Sequence, residues 1–340
     1  MDDFILKIKL ISPLITPLDA DTIFGHICWS LRYIKGNKFV ESFLKEFESS
    51  PKFLVSNGFP ENFISVPVLP EIDYDDMLKM LEDKKVIDLF NLKGGKNKNN
   101  ILTLAEKVKY FKKTEILPLE VFLKIADNLN EKSLFLEMAL FETNKIKLDE
   151  TVFSFKSEVM EVMHNSINRM NTSVSDSGRL YSQNETFYNS EMIFDIFFKI
   201  FDSEYIPVIN EAMEFICING YGKDKSVGKG SFKIEKALEK TEIFNRSGDF
   251  FMSLSPFIPD SKCTPVFYKI KTKFGKVFND TGEYGKNFNP FKKPAVMLDS
   301  GSIFKAEKDD SVCGSIISDI STYEKVKQYA LSYPIKINIV

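Results

Sequence analysis

The stretch that decides the fold is Gly220-Tyr-Gly-Lys-Asp-Lys-Ser-Val-Gly-Lys-Gly-Ser-Phe232, a loop that links a helical pattern to a strand-like segment. Glycine reaches positive φ easily and lets the backbone approach a bulky ligand. Consecutive exposed N–H groups can form a nest for anionic oxygens, and neighbouring lysines add positive charge. The stretch therefore indicates a phosphate-rich partner, although a flexible loop without a ligand explains it equally well when it is taken alone.

The candidate anion contacts in this loop are its glycines, its lysines and two residues between them. They are Gly220, Tyr221, Gly222, Lys223, Lys225, Ser226, Gly228, Lys229 and Gly230. The loop is not a nucleotide P-loop, because Gly230 follows Lys229 where that motif requires serine or threonine.

The segments around the loop predict an α+β fold of the ferredoxin-like, or RRM-like, type. Residues 4–11 alternate as a half-buried strand, and a helix with an apolar face follows at Ile23 to Leu31. A second helix over 38–48 and a charged, partly helical insertion over 74–130 come next. Strands over 151–163 and 191–201 and a helix over 205–219 then complete the order β-α-(insertion)-β-β-α-β.

The remaining residues predict a smaller second domain of the same α+β type. Its expected elements are a helix near 322–331 and strands over 249–254, 265–274, 295–299, 302–305 and 335–340. The predicted domains are residues 1–240, with insertions at about 38–150 and 164–190, and residues 241–340.

Composition limits the possible functions. An apolar content of 44% in 340 residues is ample for buried cores. A net charge of −3 argues against non-specific coating of nucleic acid but permits a local basic groove, and residues 262–293 hold eight lysines against Asp280 and Glu283. Four widely spaced cysteines and no signal peptide indicate the reducing cytoplasm. We expect no membrane span, no metal and no cofactor, because long apolar runs are missing and histidine occurs only twice.

The first predicted helix carries the first of these histidines, His26, beside Gly25. A histidine there could bind phosphate or act as a general base, whereas a packing role explains it slightly better without a second acid or base. A glycine inside a helix costs stability, so Gly25 indicates a close approach. Asp19 and Asp21 fit helix capping as well as a catalytic role.

A second polar group follows the predicted strand over 151–163. Asn165, Asn168 and Arg169 suit contacts to phosphate and to splayed bases, and Tyr181 could wedge beside a base. The alternative is that these residues belong to an ordinary solvated β-hairpin that binds no RNA. Lys292 and Lys293 offer a further basic edge, for which a solvated lead into a strand is the simpler account.

Taken together, these motifs resemble a RAMP-superfamily subunit of a type III-A CRISPR effector complex, in particular the cap subunits that hold the 5′ handle of the guide RNA (Csm subunit four). The resemblance rests on segments spread over nearly the whole chain: residues 21–32, 164–169, 178–181, 220–230, 293–298 and 301–304. It implies two RRM-like domains and a thumb hairpin over about 170–188.

The resemblance also implies function and partners. It implies a non-catalytic subunit that binds the guide RNA handle in antiviral defence, close to the target RNA. Its neighbours would be the large signalling and DNase subunit and the backbone subunit that cuts target RNA.

Two other functions remain open at this point. A metal-independent endoribonuclease that processes guide precursor would use His26 as its general base, although no partner set of Tyr or Lys is evident. A purely structural interaction protein would make no contact with RNA at all.

Overall fold

The computed structural model describes residues 2–93, 95–147, 157–165, 180–277, 289–307 and 312–340. The helices are α1 (Ala20–Lys35), α2 (Asn37–Ser49), α3 (Tyr74–Met80), α4 (Lys84–Phe90), α5 (Lys98–Lys112), α6 (Leu119–Ile125), α7 (Glu131–Lys147) and α8 (Tyr205–Asn219). The strands are β1 (Asp2–Leu10), β2 (Phe53–Pro60), β3 (Phe63–Ser65), β4 (Ile116–Pro118), β5 (Ser157–Asn165), β6 (Leu180–Tyr188), β7 (Ile193–Ile200), β8 (Phe232–Thr241), β9 (Phe250–Ser253), β10 (Cys263–Phe267), β11 (Ile270–Lys273), β12 (Ala295–Leu298), β13 (Ile303–Ala306), β14 (Gly314–Ile317), β15 (Gln328–Leu331) and β16 (Pro334–Ile337).

The first half of the chain is built on a four-stranded sheet with the order β2-β7-β1-β8. Neighbouring strands are antiparallel, and α1 and α8 pack together beside them. With β1, α1, β2, β7, α8 and β8 taken in chain order, this is the ferredoxin-like arrangement. The predicted α+β fold is therefore confirmed.

The second strand of this sheet is not the predicted one. Residues 157–165 do form a strand, but β5 pairs along its length with β6 as a separate two-stranded hairpin. Val159 and Met163 on this hairpin are 63% and 61% exposed. Alternating apolar residues indicated a strand correctly, yet they could not show that this strand lies outside the sheet. Its place is taken by β2, directly after α2.

The helix α1 carries the apolar face that its spacing predicts, since Ile23, Phe24, Ile27 and Leu31 are buried. The close approach predicted at Gly25 is wrong. A Cβ added there would meet no atom within 4 Å.

The insertion between β2 and β7 holds α3 to α7 and the short pair β3–β4. Three of its helices begin where a side chain caps a free N–H group, as the sequence pattern favours. Asp73 accepts from the Asp76 N–H, Asp83 from that of Lys85 and Asn97 from that of Asn100. Among the described residues, no helix has both the length and the apolar character needed to cross a membrane.

The second half contains a four-stranded antiparallel sheet with the order β10-β13-β9-β16, and the pairs β11–β12 and β14–β15. The helix expected near 322–331 is wrong, because Gln328–Leu331 is strand β15. All four of its residues are buried, so the run shows no period that separates a strand from a helix. In the described residues of 241–340, the RRM-like pattern thus lacks its helices, and the boundary at residue 240 stays a prediction.

The two halves share one apolar core. The hydroxyl of Tyr329 accepts the Val55 N–H at 3.1 Å, and its ring centroid lies 4.8 Å from that of Phe24. The hydroxyl of Tyr333 donates to the Asp3 carboxylate at 2.6 Å. Burial raises the pKa of both tyrosines, and both stay neutral. The second half therefore completes the interior of the first.

Candidate nucleic-acid interface

The glycine-rich loop is closed at its base by backbone hydrogen bonds. The Tyr221 N–H donates to the carbonyl of Gly230 at 2.9 Å, and the Gly230 N–H donates to the carbonyl of Pro13 at 2.9 Å. Gly230 has a φ of +64°, and a Cβ there would lie 1.9 Å from the carbonyl oxygen of Tyr221. Only glycine fits where the backbone at residue 230 passes the Tyr221 carbonyl, so this close approach fixes the backbone at the base of the loop.

Two predicted contacts in the loop serve as anchors. Tyr221 is buried, and its hydroxyl donates to the carbonyl of Pro17 at 2.7 Å. The Gly222 N–H donates to Nε2 of His26 at 2.9 Å, and the His26 and Tyr221 ring centroids are 4.7 Å apart. The structure thus brings Tyr221, Gly222 and His26 together, but it turns them towards α1.

His26 is held in its neutral form. Burial, followed by the nearby Lys225 ammonium, lowers its pKa to about 4. Its Nε2 lone pair already accepts the Gly222 N–H. A general base needs a free lone pair and a pKa near the working pH, so this geometry favours the packing role.

The tip of the loop faces outward. Lys223, Ser226 and Gly228 are exposed, and Lys225 is half-buried within a short 3₁₀ turn over Lys225–Val227. Burial lowers the pKa of Lys225. The Val227, Gly228 and Lys229 N–H groups donate to the carbonyls of Asp224 and Lys225. The cations of the tip therefore remain as the groups that the sequence predicts for binding phosphate.

The hairpin of β5 and β6, called the thumb hairpin below, is joined to the loop by side chains. Nζ of Lys229 lies 2.5 Å from Oε2 of Glu185, a fully buried carboxylate, and Nε2 of His164 lies 3.4 Å from Oε1. Lys223 donates to Gln183, whose amide in turn donates to Asp224 at 3.0 Å. Loop and hairpin therefore form one continuous surface.

Sequence reasoning missed Glu185 and Gln183 as parts of this surface. Their only signal is a polar side chain at alternate positions of β6, and nothing in the sequence shows which lysine each side chain meets.

The end of the thumb hairpin where Asn165 pairs with Leu180 carries two further predicted contacts, Tyr181 and Asn165. Tyr181 is half exposed, and its ring stacks on that of His164 with centroids 5.3 Å apart and planes 16° apart. Asn165 is exposed at the end of β5, opposite Leu180. Asn168 and Arg169 lie outside the described residues, so their predicted role stays a prediction.

The predicted basic edge at Lys292 and Lys293 separates into two environments. Nζ of Lys292 donates to the carbonyl of Lys327 at 2.9 Å and to Gln328 at 3.0 Å, and burial lowers its pKa. Lys293 is exposed and pairs with Asp319 at 2.6 Å. Of these two lysines, only Lys293 is exposed to solvent, as a phosphate contact requires.

Asp19 and Asp21 form ion pairs with lysines, a role that the sequence analysis did not predict. Asp19 is the N-cap residue of α1, but its side chain makes no capping hydrogen bond. Lys273 lies 2.6 Å from Asp19 and 2.9 Å from Asp21, and Lys271 lies 3.2 Å from Asp19. Burial favours the neutral carboxyl, but the two ammonium groups outweigh it and hold the pKa of Asp19 below its usual value.

Residues 13–21 are thus a common support for every part of the candidate site. Pro13 and Pro17 accept from the glycine loop, and Lys223 donates its N–H to Thr16 at 3.0 Å. Leu14 pairs with Thr186 of the thumb hairpin. From the sequence, only Asp19 and Asp21 of this stretch were candidates for a role, as helix caps or in catalysis.

Comparison with known proteins supports the fold. No protein-family model matches the sequence, and no curated protein matches it. Solved structures do match. A chain of the Csm1-Csm4 cassette in complex with AMPPNP is 18% identical with a TM-score of 0.54, and one of the cassette in complex with cA4 is 16% identical with a TM-score of 0.56; each match covers 99% of both chains.

A third match names a different assembly. A chain of the Csm3-Csm4 subcomplex in the type III-A CRISPR-Cas interference complex is 15% identical with a TM-score of 0.52, and the match covers 99% of this chain and 100% of that chain. Csm4 is the component common to the three structures. The chain therefore shares its fold with a chain of these Csm assemblies, in agreement with the resemblance.

Proposed function

We propose that this chain is a non-catalytic subunit of a type III-A CRISPR-Cas interference complex that binds the 5′ repeat-derived handle of the guide RNA. It would bridge the large signalling and DNase subunit to the backbone filament that cuts target RNA. The observation that carries the proposal is the single surface made by the glycine loop and the thumb hairpin on a Csm4-like fold.

The chemistry of this surface suits single-stranded RNA. The exposed tip offers the ammonium of Lys223 to phosphates, and the half-exposed Tyr181 offers a ring beside a base. Because Lys223 and Lys229 are tied to β6, loop and hairpin hold a fixed relative position. A preorganised site loses less conformational entropy when the RNA binds.

The state of His26 supports a scaffold over a nuclease. In the endoribonuclease alternative His26 takes a proton from a ribose hydroxyl, yet its Nε2 is occupied and its pKa is lowered to about 4. We therefore propose no cleavage by this chain. Incubation with repeat RNA in EDTA tests this, and a discrete product that is lost in His26→Gln would contradict it.

The assembly itself is tested by capture from native cells. A tagged chain is purified, the bound RNA is sequenced and the bound proteins are identified by mass spectrometry. We expect guide RNAs that share one 5′ end, together with the other effector subunits. Recovery of neither would contradict the proposal.

The role of the loop is tested in the same experiment with Lys223→Gln and Lys225→Gln combined. Removing two phosphate contacts should weaken binding of the captured guide RNA by about tenfold or more and flatten its salt slope by about 1.4. Lys229 is left intact because it neutralises the buried Glu185. The control is Lys107→Gln with Lys109→Gln on α5, which changes the net charge equally. An equal effect of the two variants would remove the loop from the site.

A further inference from the structure

A second exposed surface lies on the C-terminal hairpin, which we define as residues 270–277 and 289–298. Its strands pair from Ile270 opposite Leu298 to Lys273 opposite Ala295. The pairing continues through Lys276 opposite Phe291, and the Val277 N–H donates to the carbonyl of Pro290 at 2.7 Å. Since side chains alternate along a strand, the hairpin has an inner and an outer face.

The inner face is fixed to the body of the protein. Lys271 and Lys273 reach the carboxylates of Asp19 and Asp21, and Lys292 donates to the carbonyl of Lys327. Three apolar side chains of the same face are buried, Val277, Ala295 and Met297. The hairpin therefore lies flat against the start of α1 and against β15.

The outer face carries four apolar side chains that the described residues leave exposed. Ile270, Phe274, Phe291 and Val296 are 65%, 78%, 64% and 58% exposed. Burying them would be favourable at about 25 cal/mol for each Å² of apolar surface. So large an exposed group on one short ribbon indicates a binding surface.

The charges beside these rings identify the kind of partner. Nζ of Lys276 lies 5.9 Å from the centre of the Phe291 ring. Lys276 forms no ion pair with a described residue, whereas Lys293 on the same hairpin pairs with Asp319. The cores of protein interfaces are depleted in lysine, whereas surfaces for single-stranded nucleic acid combine aromatic rings with unpaired cations.

The position of the hairpin supports the same partner. Residues 13–21 contact the glycine loop through Pro17 and the C-terminal hairpin through Asp19 and Asp21. The loop and the hairpin are therefore anchored on the same short support.

We propose that the outer face of the C-terminal hairpin is a stacking platform for single-stranded RNA, in which Phe274 and Phe291 stack on bases and Lys276 contacts a phosphate. The platform would bind the strand that continues from the glycine loop. This inference rests on the proposed function, because it extends the RNA surface of the same site.

The test uses the full chain and a fluorescein-labelled oligouridylate of about 20 nucleotides, long enough to span two contact regions. Phe274→Ala with Phe291→Ala should weaken binding about tenfold or more without changing the salt slope, because no cation is lost. Lys276→Gln should weaken binding and flatten the slope by about 0.7. In the wild type, 4-thiouridine crosslinks should map to peptides that contain Phe274 or Phe291.

The matched control is Tyr74→Ala with Leu102→Ala, which removes two side chains of similar exposure from the helical insertion and should leave binding unchanged. Unchanged affinity of the phenylalanine variant at wild-type thermal stability would overturn the platform. The platform would also be overturned if the phenylalanine variant kept its RNA affinity but no longer captured the other subunits from native cells. The outer face would then be a protein interface.

Failure of the platform is distinguishable from failure of the proposed function. If Lys223→Gln with Lys225→Gln weakens RNA binding but the hairpin variants do not, only the platform is wrong. If the wild type binds neither the oligouridylate nor guide RNA, both are wrong.

Discussion

The glycine loop and the C-terminal hairpin are both lysine-rich, and both contact residues 13–21. The loop makes these contacts mainly through its backbone, whereas the hairpin makes them through its lysine side chains. The loop is anchored by backbone groups and Tyr221, which leaves Lys223 at the surface. The hairpin is anchored by its lysines, which meet Asp19 and Asp21, and its phenylalanines remain outside. Thus the number of lysines in a segment does not show where its charge is available.

The largest effect should come from the backbone anchor of the loop. Gly230→Ala places a methyl group against the carbonyl of Tyr221 at positive φ, so we expect a loss of about 3–4 kcal/mol in the free energy of unfolding. Urea denaturation measures it. Gly228→Ala is the control, since φ is also positive there but no atom lies within 4 Å. Equal losses in the two variants would show that the close approach at Gly230 is not tight.

The lysine anchor of the hairpin should give the next largest effect. Lys273→Met removes the cation between two largely buried carboxylates, and we expect a loss of about 2–3 kcal/mol in the free energy of unfolding. Lys293→Met breaks an exposed pair and should cost less than about 1 kcal/mol. If both variants unfold at the same urea concentration, the hairpin is not held by its inner lysines.

The hydrogen bond from the Gly222 N–H to the buried His26 should make the stability of the protein depend on pH. His26 is neutral in the folded protein down to its lowered pKa of about 4, whereas the unfolded chain takes up the proton near 6.5. The unfolded state binds more protons in this window, so stability falls as the pH falls from 6.5 to about 4. We expect the wild type to lose about 2 kcal/mol more than His26→Gln, which keeps an acceptor but does not titrate. Parallel pH profiles would place His26 in a solvated environment.

The smallest expected effect is that of replacing Gly25, which, unlike Gly230 of the loop, has no close neighbour. Gly25→Ala should stabilise the protein by about 0.5 kcal/mol, because alanine favours a helix and nothing lies within 4 Å of the added Cβ. Thermal unfolding measures the change. A destabilised variant would show that Gly25 meets a neighbour in solution.

The elements that follow local periodicity could be predicted from the sequence, namely β1, α1, β7 and α8. The apolar residues of β1, α1 and α8 recur at the spacing of one buried face, and those of β7 form a short apolar run that is buried on both faces. The second strand could not be predicted, because β2 ends in Gly58 and Pro60, whose residue types are unfavourable in strands. Gly58 is needed there because a Cβ would lie 2.7 Å from Leu18, which is a tertiary contact.

The candidate site was predictable in its residue types but not in its partners. The glycine loop and His26 stand out by composition, yet only the fold shows that the Gly222 N–H donates to His26. Likewise, the lysines of β11 were visible as a basic segment, whereas their pairing with Asp19 joins residues 252 and 254 positions apart. No local pattern carries information over that distance.

The contacts of Tyr329 and Tyr333 have a kinetic consequence. The bond from Tyr333 to Asp3 spans 330 residues, and that from Val55 to Tyr329 spans 274. Contacts so distant along the chain form late and slow folding, because a long loop must close before they gain any energy. Until they form, the apolar surface around Val55 is open to solvent and to other chains. We therefore expect this protein to reach its native state slowly and to depend, during synthesis, on a chaperone or an early partner that shields the unfinished core.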